Sequence, residues 1–316
     1  MRGEFFRIDP LAWKKACGLS HQAMTAYLIL CRGTGVDHTT TGWSSNAIRD
    51  RAGMRHEAAR SALRTLFDAE LVQPEPNVSR SKPRYRLAQI GHGDDEFEPP
   101  WIWIPNTFVD GAGNETPPLK RLAQLGSHKT LATLVSLYGA HSLVECHGVD
   151  AGLLRCDVEA RSLGTFGKWQ SIAYEPRESV PKFNPHHSYS KYLPTVDDAE
   201  LFEALELAYE LGLGCWELIL FRGDAETGEV IHPLTDQLIL AAKEAVPDRH
   251  IDEFVLPFPR HELPALACVF RLHYLPSTRP TGEWLEQCKT QVRHWLDHYE
   301  TIMEDVAIGR LHAETG

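Results

Sequence analysis

Ser45-Asn-Ala-Ile-Arg-Asp-Arg-Ala-Gly-Met54, followed by Arg55-His-Glu-Ala-Ala-Arg-Ser-Ala-Leu-Arg-Thr-Leu66, is the stretch on which the reading of this chain turns. Ala47, Ile48, Ala52, Met54, Ala59, Leu63 and Leu66 give the small apolar interface of two short helices that cross. Gly53 falls between them, where the lack of a Cβ permits a positive φ and a close approach. Ser44 or Ser45 caps the first helix, which runs to Ala52. The second runs from about His56 to Ala69 and carries Arg55, His56, Arg60 and Arg64 on or beside its polar face. Arg60 and Arg64 lie one turn apart.

Upstream, Asp9 caps and Pro10 opens a short helix over 11–16 that Gly18 stops. Ser20 caps a longer one over 21–32, with Met24, Tyr27, Leu28 and Cys31 at helical spacing. Residues 33–42 are a Gly- and Thr-rich connection, in which Asp37 and His38 read as solvated. Downstream, Leu71–Pro74 and Arg84–Ala88 read as strands joined by a polar tip, Asn77–Lys82.

Helix, helix, tight turn, helix and hairpin across residues 20–88 resemble the winged helix-turn-helix domains of bacterial transcriptional regulators, closest to the GntR-like type. The resemblance covers less than a quarter of the chain. It agrees with the chemistry: the amino end of the second helix is suited to reach base edges in a major groove. The wing residues Arg80, Lys82 and Arg84 suit a flanking backbone or narrow minor groove. Candidate DNA contacts are therefore Ser44, Ser45, Arg55, His56, Arg60, Arg64, Arg80, Lys82 and Arg84. Asp50 and Glu57 lie close enough to engage Arg51 or Arg60, so not every arginine need touch DNA. A winged helix used as a protein docking surface is the competing use of the same elements.

The charge balance separates this region from the rest. The 316 residues hold 32 Lys and Arg against 43 Asp and Glu, a net of -11. Residues 1–90 alone hold 14 and 8, a net of +6, and the remainder a net of -17. An acidic body repels phosphates except where the basic face is presented, which disfavours indiscriminate coating. No apolar run approaches the roughly 18–20 residues needed to cross a membrane, and MRGEFFRIDP lacks the apolar stretch of a signal peptide. Seven widely spaced cysteines read as reduced thiols, so a cytoplasmic location with no membrane partner is expected.

Residues 91–100, GHGDDEFEPP, form a linker, and the expected domains are 1–90, 101–196 and 197–316. Trp101–Ile104 reads as a strand; Pro117 and Pro118 open a helix to Leu125, and Ser127 caps another to about His141. Ser20-His and Ser127-His share cap, histidine and apolar phase at an offset of 107, each preceded by an aromatic strand-like segment. The middle domain is thus expected to be a second, degenerate winged helix, whose reader helix would span Val149–Arg161 with only Arg155 and Arg161 basic. Residues 164–198, with four prolines, read as loop. The third domain is expected to be α+β: a helix from Asp197 to Leu211, a hairpin of Trp216–Phe221 and Glu229–Pro233, a helix over 236–245, and a terminal helix over 281–306. Trp284, Cys288, Val292, Trp295, Tyr299 and Met303 form one apolar stripe on that last helix, assigned to dimerisation because a helix-turn-helix protein reads two half-sites.

Chemistry is harder to find. His141, Cys146, His147 and Cys156 lack the tight spacing of a zinc knuckle, and His186-His187 is no better. Glu217, Asp224, Glu226 and Glu229 sit at turn positions around the hairpin, where acids are solvated by default. No P-loop, dinucleotide fingerprint or nucleophile elbow occurs. The expectation is a mainly α, α+β chain without enzymatic activity, cofactor or metal: a sequence-specific, homodimeric transcriptional regulator, such as a repressor, of double-stranded DNA. A small-molecule effector is left open. The alternatives are a plasmid- or phage-type replication initiator, which tandem winged helices resemble, and a non-enzymatic adaptor.

Overall fold

The computed structural model describes residues 5–76, 83–90, 101–142, 148–166, 169–194, 197–233, 254–259 and 264–274. It is a mixed α/β fold with two compact units: Met1–Ala140, Ser188–Gly214 and Leu272–Ser277 in the first, and His141–His187, Cys215–Arg271 and Thr278–Gly316 in the second.

The first unit begins with β1 (Phe5–Ile8), α1 (Pro10–Cys17) and α2 (His21–Arg32). Asp9 caps α1, its Oδ1 accepting from the backbone of Leu11 at 2.8 Å and Ala12 at 3.0 Å. Its other oxygen accepts from the Ile90 amide at 2.6 Å, so a buried carboxylate is hydrogen-bonded on both sides. Ser20 caps α2 by accepting from the Ala23 amide at 3.3 Å. There follow β2 (Thr40–Thr41), α3 (Ser45–Ala52), α4 (His56–Asp68), β3 (Val72–Pro74) and β4 (Tyr85–Leu87), the three strands pairing in the order β2-β4-β3. Gly53 ends α3 at φ 68°, the left-handed position anticipated from its sequence context.

The chain then returns to its beginning. β5 (Ile102–Pro105) pairs antiparallel with β1, Arg7 opposite Trp103 and Ile8 opposite Ile102. After the short α5 (Thr107–Asp110), α6 (Pro118–Leu125) ends at Gly126, φ 67°, and α7 (His128–Leu137) follows two residues later. Residues 130–137 of α7 are buried without a break. Trp13 and Tyr27 stack with centroids 6.5 Å apart, and the Trp13 Nε1–H donates to Ser136 Oγ at 2.9 Å, tying α1 to α7. The Tyr189 hydroxyl donates to the Ser136 carbonyl at 2.8 Å. α8 (Asp198–Glu210) lies against α7, capped by Asp197, which accepts from the Glu200 amide at 3.0 Å.

The second unit is built of strands. A short pair, β6 (His141–Ser142) and β7 (Gly148–Val149), precedes β8 (Leu154–Phe166) and β9 (Trp169–Phe183). With β10 (Gly214–Arg222), β11 (Glu229–Pro233), β12 (Phe254–Pro259) and β13 (Pro264–Leu272) they make a six-stranded sheet, β11-β10-β13-β8-β9-β12. Pairing is antiparallel at β10–β11, β13–β8, β8–β9 and β9–β12. Ala151, Ile219, Phe221, Ala225, Ala267 and Val269 form a core on one side.

Two expectations are corrected here, and among the described residues a six-stranded sheet joins the small hairpins that were expected. Val149–Arg161 is not a reader helix, since Leu154–Phe166 is strand. Leu154, Cys156 and Val158 are buried and alternate with the more exposed Arg155, Asp157 and Glu159, the period of two that a strand requires. Residues 164–198 are loop only in part: β8 runs to Phe166 and β9 from Trp169 through Pro176 and Pro181 to Phe183, and residues 184–194 follow outside the sheet. Pro176 falls where the β8–β9 register shifts, between the pairs Glu159↔Glu175 and Asp157↔Val180. Pro181 lies beyond the stretch of β9 that β12 covers, Trp169 to Tyr174. Both prolines therefore sit where a missing amide costs no ladder bond on two sides. The hairpin of β10 and β11 matches its expected span. The expected helices over 236–245 and 281–306 lie outside the described residues.

Candidate nucleic-acid interface

Helix α4 is amphipathic. Ala59, Ala62, Leu63 and Leu66 are buried, against α2 and α3, while Arg55, Glu57, Arg60, Ser61, Arg64 and Asp68 are exposed. Arg55, Arg60 and Arg64 make no ion pair or side-chain hydrogen bond among the described residues, so three guanidinium groups stand open on one helix. Arg55 is the N-cap residue of α4, without a capping side-chain bond, and His56 is its first residue. The amino end of the helix thus leaves donors and positive charge together, the arrangement that suits an anion. Ser44 caps α3, accepting from the Asn46 amide at 3.3 Å, and Ser45 is the first residue of that helix.

Other arginines nearby are already engaged. Arg49 pairs with Asp50 at 2.7 Å. Arg51 lies 3.6 Å from the Trp43 ring centroid and donates to Asp110 at 3.2 Å, and Arg32 donates to the same carboxylate at 2.8 Å. Asp110, not the expected Asp50, is therefore the partner of Arg51, and Glu57 makes no ion pair with Arg60 among the described residues. Sharing one carboxylate in this way, Arg32 and Arg51 hold α2 and α3 to the segment after β5.

Beside α4, the rings of Phe67 and Tyr85 lie 5.5 Å apart and join the helix to β4. Arg84 is exposed and unpaired among the described residues, whereas Arg86 donates to Glu75 at 2.7 Å across the hairpin. Arg80 and Lys82 lie outside the described residues. So do the stripe residues Trp284, Cys288, Val292, Trp295, Tyr299 and Met303, together with Cys146 and His147.

A position that read as solvated has a more defined setting. His38 adopts φ 53° and stands edge-on to Trp103, centroids 5.7 Å apart. Burial and the Arg7 guanidinium lower its pKa, and Asp37 opposes them. Burial alone would raise Asp37, yet hydrogen bonds from Thr40 and Thr39 bring it to about 2. The sequence offered one signal for this cluster, the alternation of Phe5, Arg7, Trp101 and Trp103 with buried neighbours.

Among the described residues there is no group of three or more His, Cys, Asp or Glu placed to hold a metal ion. The acids around the β10–β11 hairpin work separately: Arg271 donates to both oxygens of Glu217 at 3.1 and 2.9 Å, Glu226 accepts from Arg155 at 3.3 Å, and Asp224 closes its own turn by accepting from the Thr227 amide at 2.7 Å. His187 lies 3.1 Å from Asp150. Burial of His141, assisted by Arg271, lowers its pKa to about 4. No described helix is long and apolar enough to cross a membrane. No family model, curated protein or solved structure matches the chain.

Proposed function

We propose that the chain is a winged helix-turn-helix protein that recognises double-stranded DNA, with α4 as its reader helix and the β3–β4 hairpin as its wing. The carrying observation is the set of three unpaired arginines, Arg55, Arg60 and Arg64, on a helix whose opposite side is buried. The order α2, β2, α3, α4, β3, β4 with strand order β2-β4-β3 supports the winged reading. On this reading, base edges meet the amino half of α4 and phosphates meet Arg84. The role is non-catalytic transcriptional regulation in the cytoplasm, by a homodimer on a two-fold-related site; its dimeric part rests on the sequence stripe alone. The replication-initiator alternative rests on tandem winged helices, and a strand over Leu154–Phe166, where the second copy's reader helix is expected, leaves it less supported.

Selection of the full chain on a pool of random-sequence duplexes tests the proposal, followed by affinity measurements over a salt series. A recovered site should lose discrimination in Arg60→Ala, by about 1–3 kcal/mol for a bidentate base contact. Arg84→Ala should weaken all duplexes alike and reduce the salt slope by about one unit. Failure to retain any duplex at low salt retires the reading.

A further inference from the structure

The β1–β5 ribbon has two unlike faces. On one, Phe6, Ile8, Ile102 and Ile104 are buried. On the other, Phe5 meets Trp103 edge to face with centroids 5.0 Å apart, and Arg7 lies 4.0 Å from the Trp101 ring centroid. Trp103 is 38% exposed, a large ring left partly in water. His38 meets its edge while held at a positive φ that non-glycine residues adopt uncommonly. Arg7 Nε and His38 Nδ1 are buried and have no hydrogen-bond partner among the described residues, two orphaned polar atoms on one small surface. Next to it opens a cavity of about 940 Å³ whose lining includes Phe5, His38, Trp43 and Arg84.

The charge left open here is positive. Asp37 is occupied by Thr39, and Glu75 by Arg86, whereas Arg7 and Arg84 pair with no carboxylate among the described residues. Flat rings with unpaired guanidinium groups suit a ligand that carries aromatic faces and anionic links in alternation. We propose that this face is a second nucleic-acid surface, which holds an unpaired DNA strand with a base laid on Trp103 and phosphates drawn to Arg7 and Arg84. The choice of DNA rests on the function proposed above, but the surface and its test do not require α4.

The test is fluorescence anisotropy of a labelled oligothymidylate of about 15 nucleotides titrated with the full chain and with Trp103→Ala, Trp103→Phe, Arg7→Gln and Arg60→Ala. Trp103→Ala should weaken strand binding about tenfold with an unchanged thermal melt, and Trp103→Phe should restore most of it. Should Trp103→Ala melt early, Arg7→Gln, on the ribbon and outside the wing, gives the same reading through a weaker affinity and a shallower salt dependence. Unchanged affinity in the folded Trp103 or Arg7 variants overturns the proposal. So does displacement of the strand by thymidine monophosphate at equal nucleotide concentration, which would mark a mononucleotide pocket. Arg60→Ala should leave strand binding intact; equal loss of strand and duplex in that variant would mean one shared face and no second surface. Strand binding that depends on Trp103 in a chain that holds no duplex would retire the reader helix and leave this surface standing.

Discussion

Helices α4 and α7 each follow a glycine in the left-handed region, Gly53 and Gly126, that ends the helix before. Both begin with a histidine, and both are short. Their surroundings differ completely. α4 buries one stripe and leaves arginines at Arg55, Arg60 and Arg64, while α7 is enclosed by α1, α6, α8 and β5. A helix, a left-handed glycine and a second helix form a local device with no fixed purpose. The residues at the outward positions decide it: guanidinium groups keep α4 in water, and Leu131, Leu134 and Leu137 with small hydroxyl residues let α7 be surrounded.

The largest expected effect tests that contrast directly. Leu134→Ala, at a position 1% exposed, should cost about 2–5 kcal/mol in urea unfolding. Arg64→Ala, exposed and unpaired, should stay within about 0.5 kcal/mol of the parent. Similar costs for the two would erase the distinction between strut and surface helix.

Function should divide along the same line. Arg60→Ala is expected to weaken a selected duplex by about 1–3 kcal/mol, and Lys129→Ala on α7, whose ammonium pairs with Glu200, to leave it unchanged. A duplex that responds to Lys129 and not to Arg60 would transfer the interface to the other helix.

The two glycines give a smaller and finer comparison. Alanine at either must hold a left-handed conformation, at roughly 1–2 kcal/mol. At Gly126 an added Cβ meets nothing within 4 Å, whereas at Gly53 it comes within 3.2 Å of the Lys120 side chain. Thermal melts should therefore rank Gly53→Ala at or slightly below Gly126→Ala. Equal melts would mean that the Lys120 chain moves aside without cost, and the reverse order would overturn the ranking.

The smallest effect is a pH dependence. The rings of His21 and His128, first residues of α2 and α7, lie 6.2 Å apart. Burial, aided by the nearby His128, lowers the His21 pKa, and the Ala123 backbone opposes this in part. A lowered folded pKa means that the unfolded chain binds more protons below about pH 6.5. The contribution is therefore complete above that value and is lost as pH falls beneath it. Urea midpoints measured from pH 7.5 down to 5 should decline less steeply in His21→Gln than in the parent, and parallel slopes would exclude His21 as a source.

Residues 9–76 are legible because several local signals coincide there. Asp9 with Pro10, Ser20, Ser44 and Gly53 mark ends, and the apolar residues between them keep one helical phase. The partner of β1 was not legible, since nothing in Phe5–Ile8 specifies a strand almost a hundred residues later. β8 is obscured for a different reason: the alternation of Leu154, Cys156 and Val158 is present, but the likeness of α7 to α2 points to a helix after it. β9 was hidden by its prolines, which are tolerable only because of a bulge and a half-covered edge that sequence does not display. Of the candidate contacts, the α4 arginines stand where their periodicity put them, and the engagement of Arg51 by Asp110 depends on a long-range approach.

The β1–β5 ladder also sets an order of events during synthesis. β1 is made almost a hundred residues before its hydrogen-bonding partner, which ends at Pro105, and the indole of Trp13 waits 123 residues for Ser136. A ribosome adding about 5–20 residues each second keeps Phe6, Ile8 and Trp13 without their final neighbours for roughly 5–25 s. Phe5–Ile8 is therefore an apolar strand without its pairing partner for that interval, the kind of segment that a chaperone shields.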